Sequence, residues 1–157
     1  MDIKNKHIVI TGGASGLGLE LLRQLEADNH ISVIARPSAG VGLLRKAHPD
    51  VSIYEADLAD LDAVETAADA LAKTGQPIDM LINNAAVQYT PRFTDTNFRY
   101  ETIRREIDVN FTSVCVLVHL LLPNLMQSPF SMIVNINSVW RWRPKRIPRS
   151  IARPKAL

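Results

Sequence analysis

Apolar positions along this chain follow two periods that take turns. The short β-branched runs "HIVIT" (7–11), "ISVIAR" (31–36), "VSIYEAD" (51–57), "IDMLINNAA" (78–86) and "SMIVNIN" (131–137) read as strands. Between them the period lengthens to that of a helix. Residues 16–28 place Leu17, Leu21, Leu22 and Leu25 on one stripe, and residues 42–50 form a short helix closed by Pro49. Residues 60–75 start acidic and stop at a glycine, and residues 97–126 make one long helical region with Pro123 late in it. The β-α-β-α-β-α-β-α-β order predicts an α/β fold, a doubly wound parallel sheet with helices on both faces, ending after strand five.

Composition narrows this only a little. A chain of 157 residues holds one domain with one core, and 46% hydrophobic with 22% charged residues is ordinary for a globular protein. The longest apolar run, Val114 to Leu122, is interrupted by His119 and is too short to span a bilayer. The start, MDIKNKH, is polar and shows no secretory signal. The one cysteine, Cys115, suits a reducing cytoplasm, and its place in the apolar run predicts an inert core thiol. The net charge of +2 conceals a split: residues 1–138 carry 11 Lys/Arg against 16 Asp/Glu, while 139–157 hold seven Lys/Arg, three Pro and no acid. The body therefore has no positive excess that would attract nucleic acid.

The candidate chemistry begins in "TGGASGLG" (11–18), between the first strand and the first helix. Gly12, Gly16 and Gly18 let backbone approach a pyrophosphate, and the helix N-terminus offers free N–H groups there. That position makes the sheet Rossmann-type and points to a dinucleotide. The octapeptide resembles the cofactor signature of the short-chain dehydrogenase/reductase family. The family's other landmarks follow in order: Asp57-Leu58 after strand three, "NNAA" (83–86) after strand four, Asn110 in "DVNF", and Ser138 after strand five. "INNAAVQ" and "RREIDVNF" also resemble oxidoreductases found in D-alanine-transfer operons. The resemblance implies that Ser15, Gly16 and Leu17 line the phosphate turn and that Asp57 accepts from the adenine amino group beside Leu58. It further implies that Asn83, Asn84 and Ala85 hold the central strand and the ribose wall. Ala86 stands where the family usually has glycine.

An NAD-selective site wants a carboxylate at the end of strand two. This chain has "IARPS" there, so Arg36 is expected to pair with a 2′-phosphate, with Ser15 and Ser38 as auxiliary donors. The expected cofactor is NADP(H). For catalysis, the resemblance implies that Ser138 binds a substrate carbonyl and that Asn110 holds a water in a proton relay. A tyrosine assisted by a lysine four residues later would protonate the oxygen. No such pair follows Ser138, because the three tyrosines are Tyr54, Tyr89 and Tyr100.

Codon degeneracy supplies a reason for the missing pair. Read one base out of phase, Trp140–Arg141 and Trp142–Arg143 each give alanine when the arginine codon is CGN. The Ser150–Ile151 join then allows tyrosine, as well as His, Asn or Asp, and the Pro154–Lys155 join allows lysine. A shifted reading L-A-L-A-S-Q-T-H-P-P-V-Y-C-A-S-K-G contains Tyr-x-x-x-Lys. The expectation is a Rossmann domain over 1–138 and a disordered out-of-frame tail over 139–157, in an inactive chain. The intact form would be a cytoplasmic homo-oligomer acting on a small carbonyl or alcohol, without nucleic-acid or membrane partners. Two alternatives stand beside it: a non-catalytic dinucleotide-binding module, and a nucleic-acid or membrane-surface binder through "WRWRPKRIPR".

Overall fold

A computed structural model describes residues 3–89, 94, 96 and 98–137. In chain order its elements are β1 (His7–Thr11), α1 (Gly16–Leu25), β2 (His30–Ala35), α2 (Ala39–Ala47), β3 (Ser52–Glu55), α3 (Leu61–Ala72), β4 (Met80–Asn83), α4 (Tyr100–Ile107), a π turn (Asp108–Thr112), α5 (Ser113–Leu125) and β5 (Met132–Asn135). All five strands pair in parallel, in the order β3-β2-β1-β4-β5. The α/β fold with one parallel sheet read from the apolar pattern is the fold observed.

The central strands β1, β2 and β4 are buried and largely apolar on both sides because both faces of the sheet are covered there. Val9, Ile34 and Leu81 point to one side, into a core completed by Val64, Ala68 and Leu71 of α3 and Leu117, Leu121 and Leu125 of α5. Their neighbours Ile8, Ile10, Val33, Met80 and Ile82 point to the other, against Leu22 of α1 and Val41 and Leu44 of α2. Successive side chains in a strand face opposite ways, so a strand covered twice cannot alternate apolar with polar.

Element ends differ from the sequence expectation where side chains intervene. Asn29 donates to Leu25 O at 2.8 Å and closes α1 three residues early. Asp60 caps α3 by accepting from Asp62 N and Ala63 N. β4 stops at Asn83, not at residue 86, because the next two residues turn onto Thr11. The long helix is continuous from Tyr100 to Leu125, and by length and apolar content alone it could cross a membrane. Here Leu117, Leu121 and Leu125 are buried against α3 and the sheet. Cys115 is exposed, against the core thiol expected, because it faces away from the Leu117–Leu121–Leu125 stripe. The tail 139–157 lies outside the described residues.

Candidate functional site

In the order β3-β2-β1-β4-β5 the chain leaves β1 toward β2 on one side and returns to β4 on the other. The carboxyl ends of β1 and β4 therefore flank a crevice, the place where open α/β sheets bind ligands. Thr11, the last residue of β1, is buried and fastens the two loops that leave there. Its Oγ1 accepts from Asn84 N and Ala85 N, both at 3.0 Å, and its carbonyl accepts from Asn84 Nδ2 at 3.0 Å.

The glycine turn is held by contact as much as by conformation. Gly12 has φ +72°, and a Cβ there would lie 3.0 Å from Ala85 Cα. A Cβ on Gly18 would come within 2.4 Å of Gly12 O and 2.5 Å of Asn84 Nδ2, so α1 can start this close to the turn only with glycine. A Cβ on Gly13, which the sequence pattern did not single out, would likewise lie 2.8 Å from Val33 Cγ2. Gly16 is different: φ is +54°, and a Cβ would meet nothing within 4 Å. The turn is thus packed behind and open in front.

Beside the turn lies a cleft of about 370 Å³. Gly12, Ser15, Leu17, Arg36, Asp57, Leu58, Asn84 and Ala85 all line it, together with Ser38. Ser15 and Ser38 are the N-caps of α1 and α2, and neither hydroxyl makes a capping hydrogen bond. Both helices thus start at the cleft without a side-chain cap on their leading N–H groups, the condition for holding an anion. An open face at Gly16, uncapped helix starts and an arginine fit a phosphate-bearing dinucleotide.

Of the described residues, four expected ones are absent from the cleft wall, the open Gly16 among them. Gly18 acts from behind the turn. Asn83 is 5% exposed and is absent from the cleft wall. It faces a second cavity of about 590 Å³, where its Nδ2 donates to Asn135 Oδ1 at 2.9 Å across the β4–β5 register. Its Oδ1 is buried without a partner among the described residues. Asn110 borders this second cavity from the π turn. Both ends of its amide are engaged by one residue: Oδ1 accepts from Val87 N at 2.9 Å, and Nδ2 donates to Val87 O at 2.8 Å. The helix thereby fixes the loop after β4. Ser138 lies outside the described residues.

Two neighbours on α4 escaped the sequence reading. Glu106 Oε1 accepts from Tyr89 N and secures the same loop one step further on. Arg105 lines the cleft and donates from Nη2 to Asp57 Oδ2 at 2.8 Å. Partial burial pushes the Asp57 carboxyl up, but Arg105, the Ala59 N–H and the charge of Arg36 outweigh it and hold the carboxyl below its usual range. One signal was available: Arg105 stands one turn before Val109, so a reader who places Val109 inward places Arg105 at the rim.

Comparison with known proteins agrees with this geometry. The model of the short chain dehydrogenase family matches residues 6–144. The uncharacterized oxidoreductase DltE of Bacillus subtilis is 29% identical over 145 residues, spanning 92% of this chain and 58% of that protein. A short-chain dehydrogenase from Streptomyces avermitilis superposes with a TM-score of 0.74 at 26% identity, covering 88% of this chain and 51% of that one. The L-sorbose reductase from Gluconobacter frateurii, solved with NADPH and L-sorbose, gives 0.75 at 20% identity, covering 86% and 54%. The chain thus spans about half the length of the proteins it matches.

Proposed function

This chain belongs to the short-chain dehydrogenase family, and from that premise we propose that its cleft binds NADP(H) in preference to NAD(H). The nicotinamide dinucleotide class comes with the family. The preference rests on one observation: the cleft wall at the end of β2 carries Arg36 and Ser38 and no carboxylate. An acid there would accept from a ribose 2′-hydroxyl and repel a 2′-phosphate, whereas a guanidinium forks onto phosphate oxygens. Gly12, Ser15, Gly16 and Leu17 would receive the pyrophosphate at the start of α1, with Gly18 keeping the turn close. Asp57 and Leu58 would receive the adenine, and Asn84 and Ala85 would wall the ribose.

The whole protein would be an oxidoreductase acting on a small carbonyl or alcohol, as a cytoplasmic homo-oligomer. When bound, the dinucleotide supplies or accepts the hydride. Ser138 would bind the substrate oxygen. Asn110, its amide spent on Val87, retains an acceptor lone pair with which to hold a water. The 157 residues contain no Tyr-x-x-x-Lys, so this chain would bind cofactor without appreciable turnover. A positioned acid–base group is worth roughly 10²–10⁴-fold in rate.

Titration of the full chain with NADPH and NADH, for wild type and Arg36→Ala, tests the reading. The wild type should favour NADPH and the variant should lose that preference. An unchanged ratio removes Arg36 from the explanation, and NADPH oxidation with a panel of small carbonyls would refute the inactivity.

A further inference from the structure

Asp57 belongs to the loop after β3, and Arg105 lies 48 residues further along the chain, near the end of α4. Their side chains form an ion pair. Lys4–Asp28, Lys73–Asp69 and Arg99–Glu101 are separated by 3.4 to 4.0 Å, with side chains more than half exposed. Arg105–Asp57 closes to 2.8 Å with both side chains about one-third exposed, on the wall of the cleft. Arg45–Glu55 is as short, at 2.6 Å, but its arginine is more than half exposed and it is off the cleft wall. The carboxylate is engaged at both oxygens, Oδ2 by Arg105 and Oδ1 by Ala59 N at 3.0 Å, which fixes its plane.

We infer that Arg105 is a positioning residue for the adenine end of the cleft, so that the Arg105–Asp57 pair, and not Asp57 alone, selects a 6-amino purine. This rests on the dinucleotide reading above. Each carboxylate oxygen has two acceptor directions, and one on each is already used. The carboxylate therefore presents a fixed acceptor edge to whatever base enters. An amino group at purine C6 donates to that edge, whereas a C6 carbonyl meets it lone pair to lone pair. Without the guanidinium the carboxylate keeps the Ala59 N–H bond and the charge of Arg36, but loses the partner that fixes Oδ2, so it is freer to turn and takes up a proton more readily than with Arg105 in place. Once protonated it can donate to a C6 carbonyl, and the discrimination fades.

The test compares binding of NADPH with binding of its hypoxanthine analogue, which carries oxygen in place of the 6-amino group. The full chain is used as wild type, R105M and R105K, with dissociation constants measured by calorimetry at about pH 7.5 and about pH 4.5, the lower close to the ordinary aspartate value of about 3.9. The wild type should favour the adenine cofactor by about tenfold or more at both pH values, the size of one hydrogen bond to a charged group. R105M should approach parity and lose more of its preference at the lower pH, while R105K should recover part of it. A purely structural role would weaken both ligands equally and leave the ratio untouched. An R105M ratio equal to that of the wild type at both pH values overturns the inference. Should R105M fail to fold, R105Q repeats the removal of charge with the same criterion. A wild type that binds NADPH without preferring adenine also overturns it, whereas one that binds neither NADPH nor NADH overturns the cofactor reading itself.

Discussion

Asn84 is tied to Thr11 by backbone and side chain together: its N–H donates to Thr11 Oγ1 and its Nδ2 to Thr11 O, each at 3.0 Å. One buried threonine hydroxyl thus sets where the chain leaves β4, and with it the position of one cleft wall. Thr11→Val keeps the shape and removes the acceptor, leaving the Asn84 and Ala85 N–H groups unpaired. A loss of about 1–3 kcal/mol is expected, the cost of an unsatisfied buried donor. Urea unfolding should show the midpoint falling at unchanged slope, with Thr11→Ser losing clearly less.

The two glycines of the turn should fail in different ways. Gly18→Ala forces a methyl against Gly12 O and Asn84 Nδ2, backbone and a fastened amide that cannot withdraw. The expected result is a large loss of stability, read by melting temperature, with cofactor affinity lost alongside. Gly16→Ala meets no protein atom and carries only the left-handed strain of roughly 1–2 kcal/mol. Its melt without ligand should shift modestly while its affinity for the dinucleotide falls steeply. A Gly16→Ala protein that binds as tightly as wild type would show that nothing approaches the open front of the turn.

Acid should weaken the fold through His7 before it touches the carboxylates. His7 is buried at the amino end of β1, with Nδ1 2.9 Å from Pro77 O and Nε2 2.9 Å from Ser32 Oγ. Burial, reinforced by the neighbouring His30, lowers its pKa below 6.5, although Pro77 O and Asp79 pull the other way. The ring is therefore neutral in the fold, and between the folded value and 6.5 the unfolded chain binds more protons. That contribution is complete above pH 6.5 and is lost as pH falls through this window. Asp57 and Asp79, whose values are lowered, stabilise above the ordinary carboxylate range and lose their share only at lower pH. Unfolding midpoints between about pH 7.5 and about pH 5 should drop for the wild type. The drop should be smaller for His7→Gln, and equal slopes would assign the titration elsewhere.

Among the described residues β5 is an edge of the sheet, and it is apolar. Met132 is 37%, Ile133 42% and Ile136 37% exposed. An exposed apolar edge strand is a template for pairing with another chain. Light scattering of the purified chain is expected to report self-association that rises with concentration, reduced by Ile133→Lys. Association unaffected by that charge would place the contact elsewhere, for instance along the exposed Ile107–Phe111 face of the long helix.

The sequence by itself determined the strands and helices, their parallel pairing in one sheet, and the location of a glycine turn between the first strand and the first helix. Those features are local. A period of two or of 3.6 is written in neighbouring residues, and "TGGASGLG" sits between strand and helix wherever the remainder of the chain goes. Gly12, Ser15, Leu17, Arg36, Asp57, Leu58, Asn84 and Ala85, which line the cleft, were legible for the same reason, each standing near the carboxyl end of a strand or the start of a helix. Asn83, Asn84 and Ala85 are together expected to hold the central strand and the ribose wall; Asn84 and Ala85 line the cleft, while Asn83 ends β4, bonds to Asn135 of β5 and faces the second cavity, a division the sequence does not show because it does not show where β4 ends. Only the tertiary structure brought Arg105 to Asp57, Glu106 to the Tyr89 backbone and Asn110 to Val87. These contacts join segments 17 to 48 residues apart, and no periodicity within either segment encodes the partner. They depend on how the π turn rotates the end of α4 over the cleft, which is settled by the packing of Val109, Leu117 and Leu121 against the sheet.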